Sequence, residues 1–343
     1  MHIGLLSPLS QPTPPATYGG VERVVAIHAA ELLRRGHRVT LFAARGSAVP
    51  GSRLLEYGPA GIWPGKRQLL RLLGQRLRAG RLDVVHSFGR SNALLPWWLP
   101  PGPQLVQTYA CPLAPATIHR LDRLFPGRIS YTVPSDWMDQ AFPATRAPVA
   151  VVPNALPADL YRERLDDDRD PRRPLVFLGR FDPCKGLHTA IEVAVASGVP
   201  LVIAGGSFDE SSRHYEAERI APWRGHPLLE FVGPLDDAGK QELLARARAL
   251  LFPIEWEEPF GLVMIEAMAC GTPVIAFRRG AVPEVVRDGL DGFVVDDTAA
   301  MVEAVARLPR LSRPAVRASF ERRFAAPAVT AAYLAHYERM LAR

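Results

Sequence analysis

Short apolar runs alternate along this chain with stretches in which apolar residues recur every three or four positions. That is the pattern of strands and amphipathic helices laid down in turn. Ile3–Ser7 reads as a first strand, followed by a proline-rich loop ending in Gly19-Gly20. Val21, Val24, Val25, Ala29, Leu32 and Leu33 then mark one face of a helix that Gly36 closes. Arg38–Ala44, Val84–Ser87, Leu105–Gln107, Ile129–Thr132 and Ala150–Val152 are further strands. The pattern then starts again with strand Leu175–Leu178, helix Gly186–Ser197, strands Leu201–Ala204 and Glu230–Val232, and helix Asp236–Arg248. Ala249–Ile254 is the next strand; Pro259-Phe260-Gly261 opens a helix, Gly271 closes it, and Pro273 starts another strand. Alternation of this kind builds a parallel α/β sheet, and its restart predicts two doubly wound, Rossmann-like domains facing each other across a cleft. The expected boundaries are residues 1–160 with a C-terminal helix at about 326–343, and residues 170–325. Between them Pro157–Pro174, charged and bounded by prolines, reads as a linker.

Composition narrows the class. A chain of 343 residues, 48% hydrophobic and 22% charged, has the material for two cores and none of the bias of a disordered protein. Cys111, Cys184 and Cys270 are too scattered for a disulfide frame or a zinc site, which suits a reducing cytoplasm. The first residues lack the basic segment and long apolar run of a signal peptide, and no run approaches the ~20 apolar residues of a membrane span. Charge is uneven: residues 1–160 hold 17 Lys or Arg against 8 Asp or Glu, whereas the remainder holds 24 against 27. The densest basic stretch interleaves Lys66, Arg67, Arg71, Arg76, Arg78 and Arg81 with leucines. It reads either as a surface helix whose leucines face the core, or as an amphipathic helix in peripheral contact with an anionic membrane at its inner face. No nucleic-acid motif accompanies the charge, so nucleic acid is not an expected partner.

The chemistry concentrates in two segments. Glu258 and Glu266 stand eight residues apart, the first before the helix and the second inside it. Pro259 biases Glu258 away from helical geometry, placing its carboxylate in the loop after a strand, where ligands of open α/β sheets bind. The helix that follows offers free N–H groups to a phosphate. The other segment, Gly179-Arg180-Phe181-Asp182-Pro183-Cys184-Lys185-Gly186, carries one of only three lysines at a strand-to-helix passage. Arg180 and Lys185 at such a point form an anion clamp, each contact to a phosphate contributing ~1.5–3 kcal/mol. Trp97-Trp98 reads as loop packing, with an acceptor platform or a membrane-dipping loop as the alternatives. Tyr109 and Cys111 follow a strand at a place that can face the cleft, Thr108 is uncommitted, His119 and His188 read as surface or core residues, and Trp256 as either lining the donor cleft or capping the sheet.

With these segments the chain resembles family 4 of the retaining nucleotide-sugar glycosyltransferases, of GT-B architecture. The likeness also takes in Gly19-Gly20-Val21-Glu22, Val152-Pro153-Asn154-Ala155 and the stretch from Arg279 to Phe293. It implies a metal-independent transfer, without cofactor, from a UDP- or GDP-sugar to an unknown glycan, lipid or small-molecule acceptor. It further implies that Arg180 and Lys185 hold the donor diphosphate, Glu258 the transferred sugar and Glu266 the ribose hydroxyls. Backbone amides around Phe260, Gly261 and Leu262 would support sugar and phosphate, and Gly19 and Gly20 would admit the donor phosphate or the acceptor. His86 is the first of two histidines common in relatives; the second is Phe88 here, so no general base is assigned in the first domain. Ile254-Glu255-Trp256-Glu257 replaces the serine-led loop of many relatives. The rival expectations are a sugar phosphorylase or nucleotide-sugar epimerase on the same architecture, and a sugar-nucleotide-binding protein without catalysis. A dinucleotide oxidoreductase is disfavoured, because neither domain opens with Gly-x-Gly-x-x-Gly.

Overall fold

The computed structural model describes residues 1–16, 19–62, 65–98, 101–112, 114–161 and 173–342. The chain divides into two compact units, Met1–Ala155 with Ala326–Arg343, and Leu156–Ala325. Most of the linker segment, residues 162–172, lies outside the described residues.

The first unit is built on seven parallel strands, β1 (His2–Leu6), β2 (Arg38–Ala44), β3 (Arg53–Gly58), β4 (Val84–Ser87), β5 (Gln104–Thr108), β6 (Ile129–Val133) and β7 (Val149–Val151). Their order is β3-β2-β1-β4-β5-β6-β7. Ile3, Leu5, Leu41, Val84, Val85, Leu105 and Val106 are fully buried, as expected where helices cover both faces of a parallel sheet. The helices are α1 (Gly20–Arg34), α2 (Lys66–Ala79), α3 (Pro115–Leu124) and the short α4 (Asp136–Gln140). β3 escaped the sequence pattern: it is an edge strand in which two exposed charged residues, Arg53 and Glu56, interrupt the apolar run.

The second unit holds β8 (Leu175–Arg180), β9 (Leu201–Gly206), β10 (Leu229–Gly233), β11 (Ala249–Phe252), β12 (Val274–Phe277) and β13 (Gly292–Val295), all parallel, in the order β10-β9-β8-β11-β12-β13. Around them lie α5 (Leu187–Ser197), α6 (Glu210–Tyr215), α7 (Asp237–Arg246), α8 (Leu262–Ala269), α9 (Val282–Val285), α10 (Thr298–Arg307) and α11 (Arg313–Arg323). Leu175, Phe177, Ile191, Leu201, Leu251, Ile275, Phe293 and Met301 form the core on one side of the sheet. β13, the short run Gly-Phe-Val-Val, was not foreseen. α11 was masked by its arginines, four of eleven residues.

The last helix, α12 (Ala326–Leu341), returns to the first unit. It buries Val329, Tyr333, Tyr337 and Met340 against that unit, and its polar groups are satisfied there. The Tyr337 hydroxyl lies 2.8 Å from His28 Nε2 and 2.6 Å from His86 Nδ1, and His336 Nε2 lies 2.9 Å from Ser130 Oγ. No helix among the described residues is long and apolar enough to cross a membrane.

Candidate functional site

In the second sheet β9 and β10 extend from one side of β8, while β12 and β13 extend from the far side of β11. The winding therefore reverses between β8 and β11, and the crevice at their C-terminal ends is where such sheets take ligands. Both chemical segments of the sequence emerge there.

Local backbone geometry brings them together. Asp182 caps the turn Pro183–Lys185 by accepting from Cys184 N–H at 3.1 Å. Gly186 follows at φ +69°, and a Cβ at that position would stand 2.0 Å from the Pro253 carbonyl oxygen. Only glycine therefore lets this turn press against the loop leaving β11. Glu255 N–H donates to the Cys184 carbonyl at 2.8 Å and ties the two loops. As a result Lys185 Nζ lies 2.8 Å from Glu258 Oε2.

Glu258 is 8% exposed and accepts a second bond, 2.9 Å, from the Trp256 indole N–H. Lys185 Nζ also sits 5.3 Å from the Trp256 ring centroid, a cation–π contact. The sequence left Trp256 between lining the site and capping the sheet; the structure puts its indole on the central carboxylate. The main chain of Glu258 is held by the third motif segment. Ala281 N–H donates to the Glu258 carbonyl at 2.8 Å, and Gly280 (φ +52°) has room for no Cβ, which would come within 2.3 Å of that oxygen.

Glu266 occupies a separate pocket. From α8 its Oε1 accepts from Lys240 Nζ at 2.8 Å and from the Tyr161 hydroxyl at 3.0 Å. Burial opposes the Lys240 charge, but the Glu266 carboxylate, aided by Asp237, outweighs it and holds the lysine pKa above its ordinary value. Lys240 and Tyr161 were missed in the sequence. Lys240 is another of the three lysines, which in an arginine-rich chain was a usable signal; Tyr161, 105 positions from its partner, carried none.

Arg180 ends β8 and remains more open, its guanidinium 3.6 Å from Asp182 and 3.9 Å from Asp209. Gly261 caps α8 at φ +79°, so the helix starts at Leu262, three residues later than the proline suggested; Gly261 cannot stand inside a helix in that conformation. Leu262 thus supplies a first-turn N–H. The Phe260 side chain belongs to the core, edge-on to Phe324 at 5.8 Å, which leaves only its backbone to the site.

In the first unit the winding reverses between β1 and β4. Gly19 precedes α1 and Gly20 begins it; a Cβ on Gly19 would meet Pro15 at 2.7 Å. His86 is fully buried, its Nδ1 on Tyr337 and its Nε2 2.6 Å from Thr108 Oγ1, with Phe88 against its ring at 4.0 Å. Desolvation holds its pKa well below the usual histidine value. Both ring nitrogens are thus engaged within the unit. Nearby, Glu22 Oε1, Ser87 Oγ and Gln107 Oε1 are buried and accept no hydrogen bond among the described residues.

Of the remaining candidates, Trp97 is buried edge-on to Phe42, whereas Trp98 is 54% exposed. Tyr109 is buried with its hydroxyl 2.6 Å from Ser91 Oγ, and Cys111 and His119 are exposed. His188 is tethered between the Tyr215 hydroxyl, 2.8 Å, and Glu255, 3.2 Å.

Comparison with known proteins agrees with this geometry. The family described as "Glycosyl transferases group 1" matches residues 165–322, and "Glycosyltransferase Family 4" matches residues 18–160. A phosphatidyl-myo-inositol mannosyltransferase of Mycobacterium tuberculosis is 29% identical over 333 residues, spanning 86% of this chain and 82% of that protein. The crystal structure of a glycosyltransferase involved in avilamycin A biosynthesis is 26% identical, with a TM-score of 0.74 over 99% of this chain and 98% of that one. A sucrose-phosphate synthase from Thermosynechococcus elongatus, 21% identical, shares the fold at a TM-score of 0.80 over 99% of each chain.

Proposed function

The chain belongs to the family 4 glycosyltransferases of GT-B fold, and on that footing we propose that it moves a sugar from a UDP- or GDP-sugar to an acceptor with retained anomeric configuration and without a metal ion. The observation that carries the reading is the Lys185–Glu258 pair at the reversal point of the second sheet, beside the N-terminus of α8 and the open guanidinium of Arg180.

In the donor complex Lys185 would turn from Glu258 alone to share the leaving diphosphate with Arg180 and the first N–H groups of α8. Glu258 would then accept from hydroxyls of the transferred sugar, and Glu266 from the ribose. The bond from the sugar's anomeric carbon to the diphosphate oxygen breaks as the acceptor oxygen bonds that carbon from the same face. The acceptor's proton passes to the departing phosphate, so no base from the protein is required. That suits a first unit in which His86 is sequestered and the second histidine is Phe88.

The acceptor is a glycan, a lipid or a small molecule. The name of the mycobacterial relative favours a lipid, and a cytoplasmic enzyme working at the inner face of a membrane fits that choice. Incubation with a panel of UDP-, GDP-, ADP- and TDP-sugars tests the reading through slow release of free nucleoside diphosphate. Release from one donor, lost in Glu258→Ala and unaffected by EDTA, is the expected result. Release that requires added metal, or that survives Glu258→Ala unchanged, would overturn the proposed mechanism.

A further inference from the structure

The turn that carries Lys185 runs straight into α5, and His188 is the second residue of that helix. A helix leaves its first N–H groups without partners of its own. Here the main-chain N–H of His188 donates to the Tyr215 hydroxyl at 3.1 Å, and the same oxygen lies 2.8 Å from His188 Nδ1. On the other side of the ring, Nε2 faces Glu255 Oε1 at 3.2 Å. Tyr215 ends α6 and is buried in the core of the second unit, whereas Glu255 stands in the loop that leaves β11.

Counting donors and acceptors fixes the ring. Burial, the largest cause, holds the Tyr215 pKa above its ordinary value, so the hydroxyl keeps its proton. Its oxygen already accepts the His188 N–H, and the acceptor that its own proton meets is Nδ1. A neutral imidazole carries one proton, so a bare Nδ1 puts that proton on Nε2, on the side of the Glu255 carboxylate. The same contacts argue against a nucleophilic Tyr-His-Glu triad, because the phenol is 6% exposed and its oxygen is spent on a helix N-terminus.

Glu255 is therefore held twice from the clamp side, through its main-chain N–H at the Cys184 carbonyl and through its carboxylate at His188. Three residues on, Glu258 returns to Lys185, and the Trp256 indole donates to the same carboxylate. A closed circuit results, from Lys185 into α5, across His188 to Glu255, along the loop to Glu258 and back to Lys185. We propose that His188 is a positioning residue of the donor site, whose Nε2–H anchors Glu255 and so fixes where Trp256 and Glu258 stand relative to Lys185. It acts through Glu255 and Glu258, as a brace between the two loops. Its part in turnover rests on the transferase reading, but its hold on the loop does not.

Two measurements on the full chain need no activity. Long-range proton–nitrogen NMR spectra should show His188 protonated at Nε2 and bare at Nδ1, and Tyr215→Phe should release the ring to a mixture of tautomers. Hydrogen–deuterium exchange across residues 253–258 should rise in His188→Ala and in Glu255→Ala. It should return close to wild type in His188→Gln, whose side-chain N–H reaches toward the same carboxylate. A third measurement follows release of nucleoside diphosphate from the sugar nucleotide that the donor panel selects. Each alanine variant should lower turnover about fivefold, the scale of a partly exposed charged contact, while affinity for UDP or GDP hardly moves. The double variant should be no worse than either single one, since both remove the same contact. Protonation at Nδ1, unchanged exchange in the loop, additive losses in the double variant, or equal losses of affinity and turnover would each overturn the proposal. Silence of wild type with every donor would instead strike the transferase reading, and the tautomer and the exchange would still decide whether His188 holds the loop.

Discussion

At the scale of single residues the site is a set of carboxylates kept occupied by lysines. Glu258 and Glu266 are each nearly buried and each holds one ammonium group at 2.8 Å. Removing one partner of such a pair strands the other's charge, so substitutions here act on both stability and chemistry. Trp256 separates the two. Trp256→Phe keeps an aromatic ring beside Lys185 and deletes the indole N–H that holds the Glu258 carboxylate. A hydrogen bond to a charged group is worth about 1.5–3 kcal/mol, so turnover should fall between about tenfold and a hundredfold. Nucleoside diphosphate affinity by calorimetric titration should hardly change; an equal loss in both would mean that Trp256 merely supports the loop. Lys185→Ala should instead weaken nucleoside diphosphate binding, and an unaltered titration would remove it from the clamp. Lys240→Ala leaves Glu266 with Tyr161 as its remaining donor in that pocket and should lower the midpoint of thermal unfolding, by about 1.5–3 kcal/mol of stability.

Among the elements, α8 matters most, because it carries Glu266 and presents its N-terminus to the site. Its position is set from its far end. The buried Arg313, first residue of α11, donates to the carbonyls of Ala245 and Ala247 at the end of α7, to that of Cys270 at the end of α8, and to Thr272 Oγ1. One guanidinium thus satisfies the closing carbonyls of two helices and carries the charge their C-termini favour. Arg317 performs a similar service, binding the carbonyls of Ala158, Tyr161 and Ala269, and so keeps Tyr161 beside Glu266. Arg313→Met should cost about 3 kcal/mol or more, read as an earlier unfolding transition of the second unit, and should weaken donor binding in parallel. Donor affinity unchanged in a clearly destabilised variant would show that α8 keeps its place without the arginine. These arginines bind backbone carbonyls distant in the chain, which is why composition alone could not distinguish them from surface charge.

For the whole molecule the consequence lies in α12. It completes a unit begun three hundred residues earlier by covering two buried histidines. Desolvation lowers the His28 pKa from 6.5 to about 3 and pushes His86 lower than usual too, with the His28 and His336 rings adding to the effect. Folded-state values below the unfolded one mean that the unfolded chain binds protons first. The stabilisation from neutral burial is therefore complete above about pH 6.5 and is lost as pH falls toward 3. Each histidine contributes a slope of up to about 1.4 kcal/mol per pH unit. The unfolding midpoint of the first unit should drop between pH 6.5 and 5, and His28→Gln should flatten that drop; a profile flat in wild type would mean the imidazoles are not sealed. Ending the chain at Ala325 should expose Ser130, His28 and His86 and leave the first unit without a cooperative transition, while the second unit still binds nucleotide.

Much of this was present in the order of residues. Periodicity marks most of the strands and half of the helices because each must bury one face, and that requirement is local. Glu258, Lys185, Gly186 and the turn between them were legible because strand ends, prolines and glycines constrain the backbone within a few residues. What the sequence could not determine depends on pairs distant in the chain: Tyr161 with Glu266, Arg313 with two helix ends, His86 with Tyr337. The same holds for the leucines of α2, whose period fits a buried and an exposed ridge equally well. Only the packing of neighbouring elements decides how much of a helix is covered, and here it covers Leu72 and leaves Leu70 and Leu77 in the open.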